Sequence, residues 1–184
     1  MTYNPEFHHR RSIRLRDYDY SRTGAYFVTI CAWKKECSFG EVSKGTVNCS
    51  EAEKIVTDSW YKLLERFPSI ELDEFVIMPN HIHGIVFMNA LVGAGLALPG
   101  MKPKQKGAAS SAPTLGDIMR TFKSTSAVTV NRRLDRPGLP LWQRNYYERI
   151  IRDERELHAI REYIRYNPLK WEEDDENPNM KRAM

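Results

Sequence analysis

The chain reads as an α+β domain in which helices pack on a mainly antiparallel sheet, with ferredoxin-like or RRM-like topology. Three observations predict this. Strand-type runs alternate with helical stripes opened by N-cap residues, two apolar runs are joined through Pro79-Asn80, and a length of 184 residues fits one domain. Hydrophobic residues at 41% and aromatics at 11% supply a packed interior, which excludes a disordered polyampholyte.

The elements follow in order. Residues 25–33 (AYFVTICAW) combine β-branched and aromatic types and predict the first strand; SFGEVS and TVNCS, flanking Lys44-Gly45, predict a strand pair. Ser50 and Glu53 form an S-x-x-E capping box before Ile55, Val56, Trp60, Leu63, Leu64 and Phe67 at helical spacing, so a helix runs to near Pro68. Runs 70–78 and 82–88 predict two strands, with Pro79-Asn80 as the turn or strand entry. Segment 89–112 is rich in Gly, Ala, Pro and Lys without a sustained period, and reads as a loop inserted in the domain. Thr114 and Asp117 open another helix with Leu115, Ile118, Met119 and Phe122 on one stripe, although its β-branched continuation TSAVTVNRR leaves the end open. LWQRNYYERII holds a short strand, and Asp153 with Glu156 caps a last helix that Pro168 stops. The domain is thus expected over 1–171, with 172–184 an acidic, disordered tail.

No run is apolar enough to span a bilayer and the N-terminus lacks a signal-peptide pattern, so a soluble, cytoplasmic chain with no membrane partner is expected. Cys31, Cys37 and Cys49 are odd in number and lack CxxC spacing; they read as reduced, not as a disulfide framework or zinc knuckle. The formal charge of +4 conceals segregation, because five of the 24 acids fall in the run 172–176. Basic residues gather at Arg10, Arg11, Arg14, Arg16 and Arg22, and again over 102–136, where Arg120 and Lys123 flank a helical stripe. Such a surface suits a polyanion, and an ordinary solvated face would look the same.

In Met78-Pro79-Asn80-His81-Ile82-His83-Gly84 the two histidines are one residue apart, so in a strand both side chains leave the same face and can share a metal ion. Ile82 points the other way into the core, and Gly84 leaves backbone open to a ligand. Two partly buried histidines satisfied by neighbours would show the same spacing. Tyr163 and Asn167 stand at i and i+4 on the last helix and share a face; the amide oxygen of Asn167 is a hard donor suited to Mg²⁺ or Mn²⁺. Equally, Asn167 fits a helix end before Pro168, and Tyr163 fits the packing stripe with Ile160.

Taken together, RRSIRLRDYDYSRTGAYFVTIC, FVIMPNHIHGIVF and LWQRNYYERIIRDERELHAIREYIRYNPLKW resemble the REP-associated tyrosine transposases, bacterial relatives of the single-tyrosine HUH transposases, from about residue 10 to 171. The resemblance implies the HUH endonuclease fold, a metal pair at His81 and His83, Asn167 as the third protein ligand of a divalent Mg²⁺ or Mn²⁺ ion, and Tyr163 as the nucleophile. It also implies cleavage and rejoining of single-stranded DNA at a hairpin resembling a REP palindrome through a 5′-phosphotyrosine, in a monomer or a homodimer. Arg10, Arg11, Arg14, Arg16, Arg120, Lys123, Arg144 and Tyr146 are the expected DNA contacts, with Trp142 and Tyr147 either stacking on bases or buried in the core. Two other classes fit parts of the pattern. One is a non-catalytic, RRM-like nucleic-acid binder; the other is a zinc hydrolase, for which no further His, Asp or Glu stands in a recognisable zinc pattern.

Overall fold

Alternation along one strand divides the core in two. In the computed structural model, which describes residues 23–43, 46–89, 113–174 and 176–178, β1 (Gly24–Cys31) buries Tyr26, Val28 and Ile30 on one face and Ala25 and Phe27 on the other. It lies at the centre of a four-stranded sheet of order β4-β5-β1-β6, formed with β4 (Ile70–Met78), β5 (His81–Met88) and β6 (Tyr147–Ile151), and every pairing is antiparallel. Helices α1 (Glu51–Tyr61) and α3 (Leu115–Arg133) fall between β1 and β4 and between β5 and β6, which is the β-α-β-β-α-β order of a ferredoxin-like fold. The expected α+β sheet with helices packed on it is therefore present. A separate two-stranded ribbon pairs β2 (Gly40–Ser43) with β3 (Thr46–Cys49), where the strand pair was expected.

The larger core joins Tyr26, Val28, Ile30, Ile82 and Val86 to Val56 and Trp60 of α1 and to Ile118, Met119, Phe122 and Val130 of α3. On the opposite face a smaller core joins Phe27, Ile85 and Ile151 to Leu157 and Ile164 of α4 (Glu154–Tyr166). This makes three layers, with α4 on the sheet face opposite α1 and α3.

Several boundaries differ from the sequence reading. The first strand stops at Cys31, because Trp33–Lys35 form a 3-10 turn with Lys34 and Lys35 in the left-handed region at φ 53 and 58. The expected single helix breaks at Lys62 into α1 and a short α2 (Leu63–Arg66). β5 begins at His81, since Met78 and His81 pair directly across Pro79-Asn80. α3 runs unbroken to Arg133 despite its β-branched half: Thr125, Ser126 and Thr129 donate their hydroxyls to carbonyls one turn back, and Trp142 Nε1 donates to Ser126 Oγ at 2.9 Å. Pro168 ends α4 as expected, but the chain coils on as a 3-10 helix, Asn167–Glu173, with Trp171 buried. Glu172 and Glu173, read from sequence as the start of a tail, belong to that helix. Most of the insertion (90–112) and Arg10, Arg11, Arg14, Arg16 and Arg22 lie outside the described residues. No helix among the described residues is long and apolar enough to cross a membrane.

Candidate active site

The sheet register fixes both histidines. On β5, His81 stands between Cys31 and Met78, and His83 between Thr29 and Val76, so both imidazoles project from the face that α4 covers. Ile82 between them enters the larger core, as its alternation requires. Gly84 does not offer open backbone to a ligand: a Cβ there would come within 2.6 Å of Trp60 Cζ2, so the space it leaves is filled by an indole on the other face.

His81 is fully buried, with 0% exposure, and its Nε2 lies 3.0 Å from Nε2 of His83. Asn80 sets the tautomer of His81. The amide Nδ2 of Asn80 donates to the carbonyls of Glu176 at 2.6 Å and Lys35 at 3.2 Å, which leaves Oδ1 to accept from His81 Nδ1–H at 2.8 Å. The lone pair of His81 is then on Nε2, facing His83. On the other ring, Thr29 Oγ1 lies 2.8 Å from His83 Nδ1. Because a hydroxyl can donate or accept, His83 can either donate Nε2–H to His81 or, with Nδ1–H donated to Thr29, present a second lone pair. Burial pushes His81 below its ordinary value and outweighs the carboxylates of Asp174 and Glu176; burial, helped by the charge of His81, pushes His83 well below. Both rings are neutral at pH 7 and available as ligands.

α4 presents the tyrosine. Asp153 caps the helix by accepting from Glu156 N at 2.8 Å, Leu157 and Ile164 bury its inner stripe, Arg161 pairs with Asp73 at 2.7 Å, and Arg165 pairs with Glu74. Tyr163 Oη reaches within 3.3 Å of His83 Nε2, and the ring stands edge-on to Phe27 and His83 while remaining 47% exposed. Asn167 follows at i+4 with 3% exposure, and its Oδ1 has no hydrogen-bond partner among the described residues. Tyr163, His83 and Asn167 line one cavity of about 630 Å³, together with Thr29, Tyr146, Tyr147 and Asp174.

This donor set fits a divalent cation. Ligands at about 2.1 Å from one ion stand about 3 Å apart when adjacent and about 4.2 Å apart when opposed. The two Nε2 atoms are 3.0 Å apart and Asp174 Oδ2 is 3.9 Å from His81 Nε2, both inside that range, while the ligating atoms of His81, His83 and Asp174 lie within 4.8 Å of one another, so the widest separation allows a small closure onto the ion. The orphaned amide oxygen of Asn167 is the kind of buried polar atom that an ion would satisfy.

The other expected contacts divide. Tyr146 reaches the cavity, and Tyr147 does so while half exposed, whereas Trp142 belongs to the larger core. Lys123 points inward: its Nζ donates to the carbonyls of Gln143 at 2.6 Å and Arg144 at 2.8 Å, and burial pushes its ammonium down to about 8. Arg120 is exposed and pairs with Asp117 at 2.5 Å, and Arg144 is exposed in the segment that Lys123 holds. Two residues at the site escaped the sequence reading. Thr29 carried a usable signal, its parity with the core-facing Phe27; Asp174 had nothing to separate it from the acids around it.

An antiparallel sheet of this order carries a tyrosine-bearing helix laid over paired histidines, and the fold is shared with a solved tyrosine transposase. Among solved structures it is similar to a REP-associated tyrosine transposase bound to a REP hairpin, with a TM-score of 0.54 and 19% identity, covering 85% of this chain and 73% of that one. A putative transposase from Deinococcus radiodurans R1 has a TM-score of 0.47 at 16% identity, covering 83% of this chain and 95% of that one. No family model matches the chain. A protein of Haemophilus influenzae (strain ATCC 51907 / DSM 11121 / KW20 / Rd), described as uncharacterized, is 42% identical over 173 residues, 94% of this chain and 95% of that protein. The chain belongs to the same family as this Haemophilus influenzae protein.

Proposed function

We propose that the protein is a divalent-metal-dependent endonuclease of the transposase type, cleaving and rejoining single-stranded DNA beside a hairpin through a 5′-phosphotyrosine on Tyr163. One observation carries this reading: the Tyr163 hydroxyl lies 3.3 Å from the same His83 nitrogen that stands 3.0 Å from Nε2 of His81, in a cavity that the unpartnered oxygen of Asn167 also lines. The REP hairpin bound by the transposase of similar fold supports a hairpin as the DNA partner.

In this reading His81, His83 and Asn167 would hold Mg²⁺ or Mn²⁺, and the ion would supply Lewis-acid polarisation of the scissile phosphate. Tyr163 Oη gives its proton to solvent and attacks phosphorus; the new bond is O–P, the P–O3′ bond breaks, and the departing 3′ oxygen takes a proton from solvent and leaves as a hydroxyl. The Arg161–Asp73 and Arg165–Glu74 pairs hold the attacking side chain in place, because they fasten α4 on both sides of Tyr163 to one sheet strand. The phosphodiester energy is kept in the tyrosyl link, so a second 3′ hydroxyl can reverse the step without ATP. Tyr146 and Tyr147 at the cavity offer faces on which unpaired bases stack. Arg10, Arg11, Arg14, Arg16, Arg120 and Arg144 supply phosphate contacts, and Lys123 acts by holding the segment that carries Arg144. Residues 1–171 act as one domain, with 89–112 an insertion in it.

The test is incubation of the full chain with labelled single-stranded oligonucleotides spanning palindromes near its own gene, with and without Mn²⁺, resolved on denaturing gels. Cleavage with a retarded covalent species, present only with metal, is expected. Binding without any cleavage product would instead describe a nucleic-acid-binding module.

A further inference from the structure

Among the described residues, one withdrawn carboxylate at the cavity has no cation to neutralise it. The Asp174 side chain is 9% exposed, and no Lys or Arg among the described residues lies within ion-pair distance; the nearby acid Glu176 takes Lys35 at 2.8 Å instead. A carboxylate so withdrawn from water is costly unless a positive charge compensates it. Its two oxygens are used differently. Oδ1 accepts the backbone N–H of Glu176 at 2.7 Å, an Asx-type turn that fixes the direction of the side chain. Oδ2 is thereby aimed at the histidines, 3.9 Å from His81 Nε2. Asn167 gives an independent sign, because its buried Oδ1 faces the same cavity without a partner. Two imidazole nitrogens, one carboxylate oxygen and one amide oxygen make a donor set suited to Mn²⁺ or Mg²⁺.

We propose that Asp174 is an anionic ligand of the cation held by His81, His83 and Asn167, so that ion binding fastens the C-terminal segment to the sheet. The inference rests on the metal reading given above. Asn80 already links the two events, since one amide orients His81 through Oδ1 and holds the Glu176 carbonyl through Nδ2 at 2.6 Å. Ion affinity in this chain then depends on a residue beyond α4, and the segment around Asp174 becomes ordered in step with the metal.

The experiment titrates Mn²⁺ into the full chain without DNA, following free ion by electron paramagnetic resonance, and compares hydrogen exchange of residues 171–177 with and without Mn²⁺. Asp174→Asn keeps the Oδ1 acceptor and hence the turn, so it isolates the charged ligand. Changes one layer out from a metal already cost about 10–100-fold in affinity, so Asp174→Asn should weaken Mn²⁺ binding by at least ~10-fold, and clearly more than Glu176→Gln, which removes an equal charge that Lys35 already pairs. In the wild type, Mn²⁺ should slow exchange across 171–177. Wild-type affinity in Asp174→Asn alongside lost affinity in His83→Ala would overturn the Asp174 ligand and leave the histidine site standing. Undiminished affinity in His83→Ala as well would overturn both. Should Asp174→Asn not fold, unchanged exchange of 171–177 in the wild type on adding Mn²⁺ would overturn the proposal without any variant.

Discussion

Thr29→Val removes one hydroxyl from the floor of the cavity and nearly preserves side-chain shape. In the ion-bound form His83 would carry its proton on Nδ1, where Thr29 Oγ1 at 2.8 Å is the acceptor, and the ring is only 4% exposed, so water has little access to that partner's place. An orphaned buried N–H costs about 1–3 kcal/mol. Without the ion the proton can move to Nε2 and be given to His81, so the penalty falls mainly on the bound state. At about 1.4 kcal/mol per factor of ten, the loss in Mn²⁺ affinity is about 5–140-fold, which brackets the ~10–100-fold typical when such supporting bonds are removed. Calorimetric titration measures it directly, and cleavage assayed against Mn²⁺ concentration should show a curve displaced to higher metal with a nearly unchanged plateau. Wild-type affinity in a folded Thr29→Val protein would refute the reasoning that Thr29 selects the ligating tautomer.

Three further outcomes are expected. Gly84→Ala drives a methyl to 2.6 Å from Trp60 Cζ2, an overpacking that costs about 1–3 kcal/mol, so its melting temperature should fall by roughly 2–4 °C per kcal/mol; an unchanged melting curve would mean that Trp60 yields freely. Because burial lowers both histidines, the unfolded chain takes up protons near 6.5 that the folded one does not, so the stability of the metal-free protein is present above 6.5 and declines below it, as pH-dependent chemical denaturation would show. Lys123→Ala abandons the carbonyls of Gln143 and Arg144, and with hydrogen bonds to a charged group each contributing about 1.5–3 kcal/mol it should lower stability and weaken DNA binding together, whereas Arg120→Ala should weaken binding alone; denaturant melts and fluorescence anisotropy separate the two.

Much of this arrangement was legible in the sequence because short periods encode it. The alternation Phe27-x-Thr29 and His81-x-His83 assigns each side chain to a face, and the Ser50, Thr114 and Asp153 caps start their helices where the structure has them. The i, i+4 spacing of Tyr163 and Asn167 likewise brings both to one cavity. Long-range packing was not legible. The β-branched run at the end of α3 stays helical because Ser126 and Val130 are buried there, with Ser126 accepting from Trp142, a contact sixteen residues along the chain that no local propensity contains. The function of Gly84 depends on Trp60, which only the fold brings opposite it. Asp174 is the largest gap: in an acidic run it looks like solvent-facing tail, and it becomes a site residue because Trp171 anchors the 3-10 helix that carries it back over the histidines.

The proposed chemistry turns on attack by Tyr163. Tyr166 offers a close rival three residues away, but it is 52% exposed and does not line the cavity, whereas Tyr163 does. The deciding measurement is peptide mapping by mass spectrometry of the adduct trapped on single-stranded hairpin DNA with Mn²⁺, with Tyr163→Phe and Tyr166→Phe run beside the wild type. A nucleotide is expected on Tyr163, with no adduct from a folded, DNA-binding Tyr163→Phe and abundant adduct from Tyr166→Phe. A nucleotide found on Tyr166, Tyr146 or Tyr147 would contradict it.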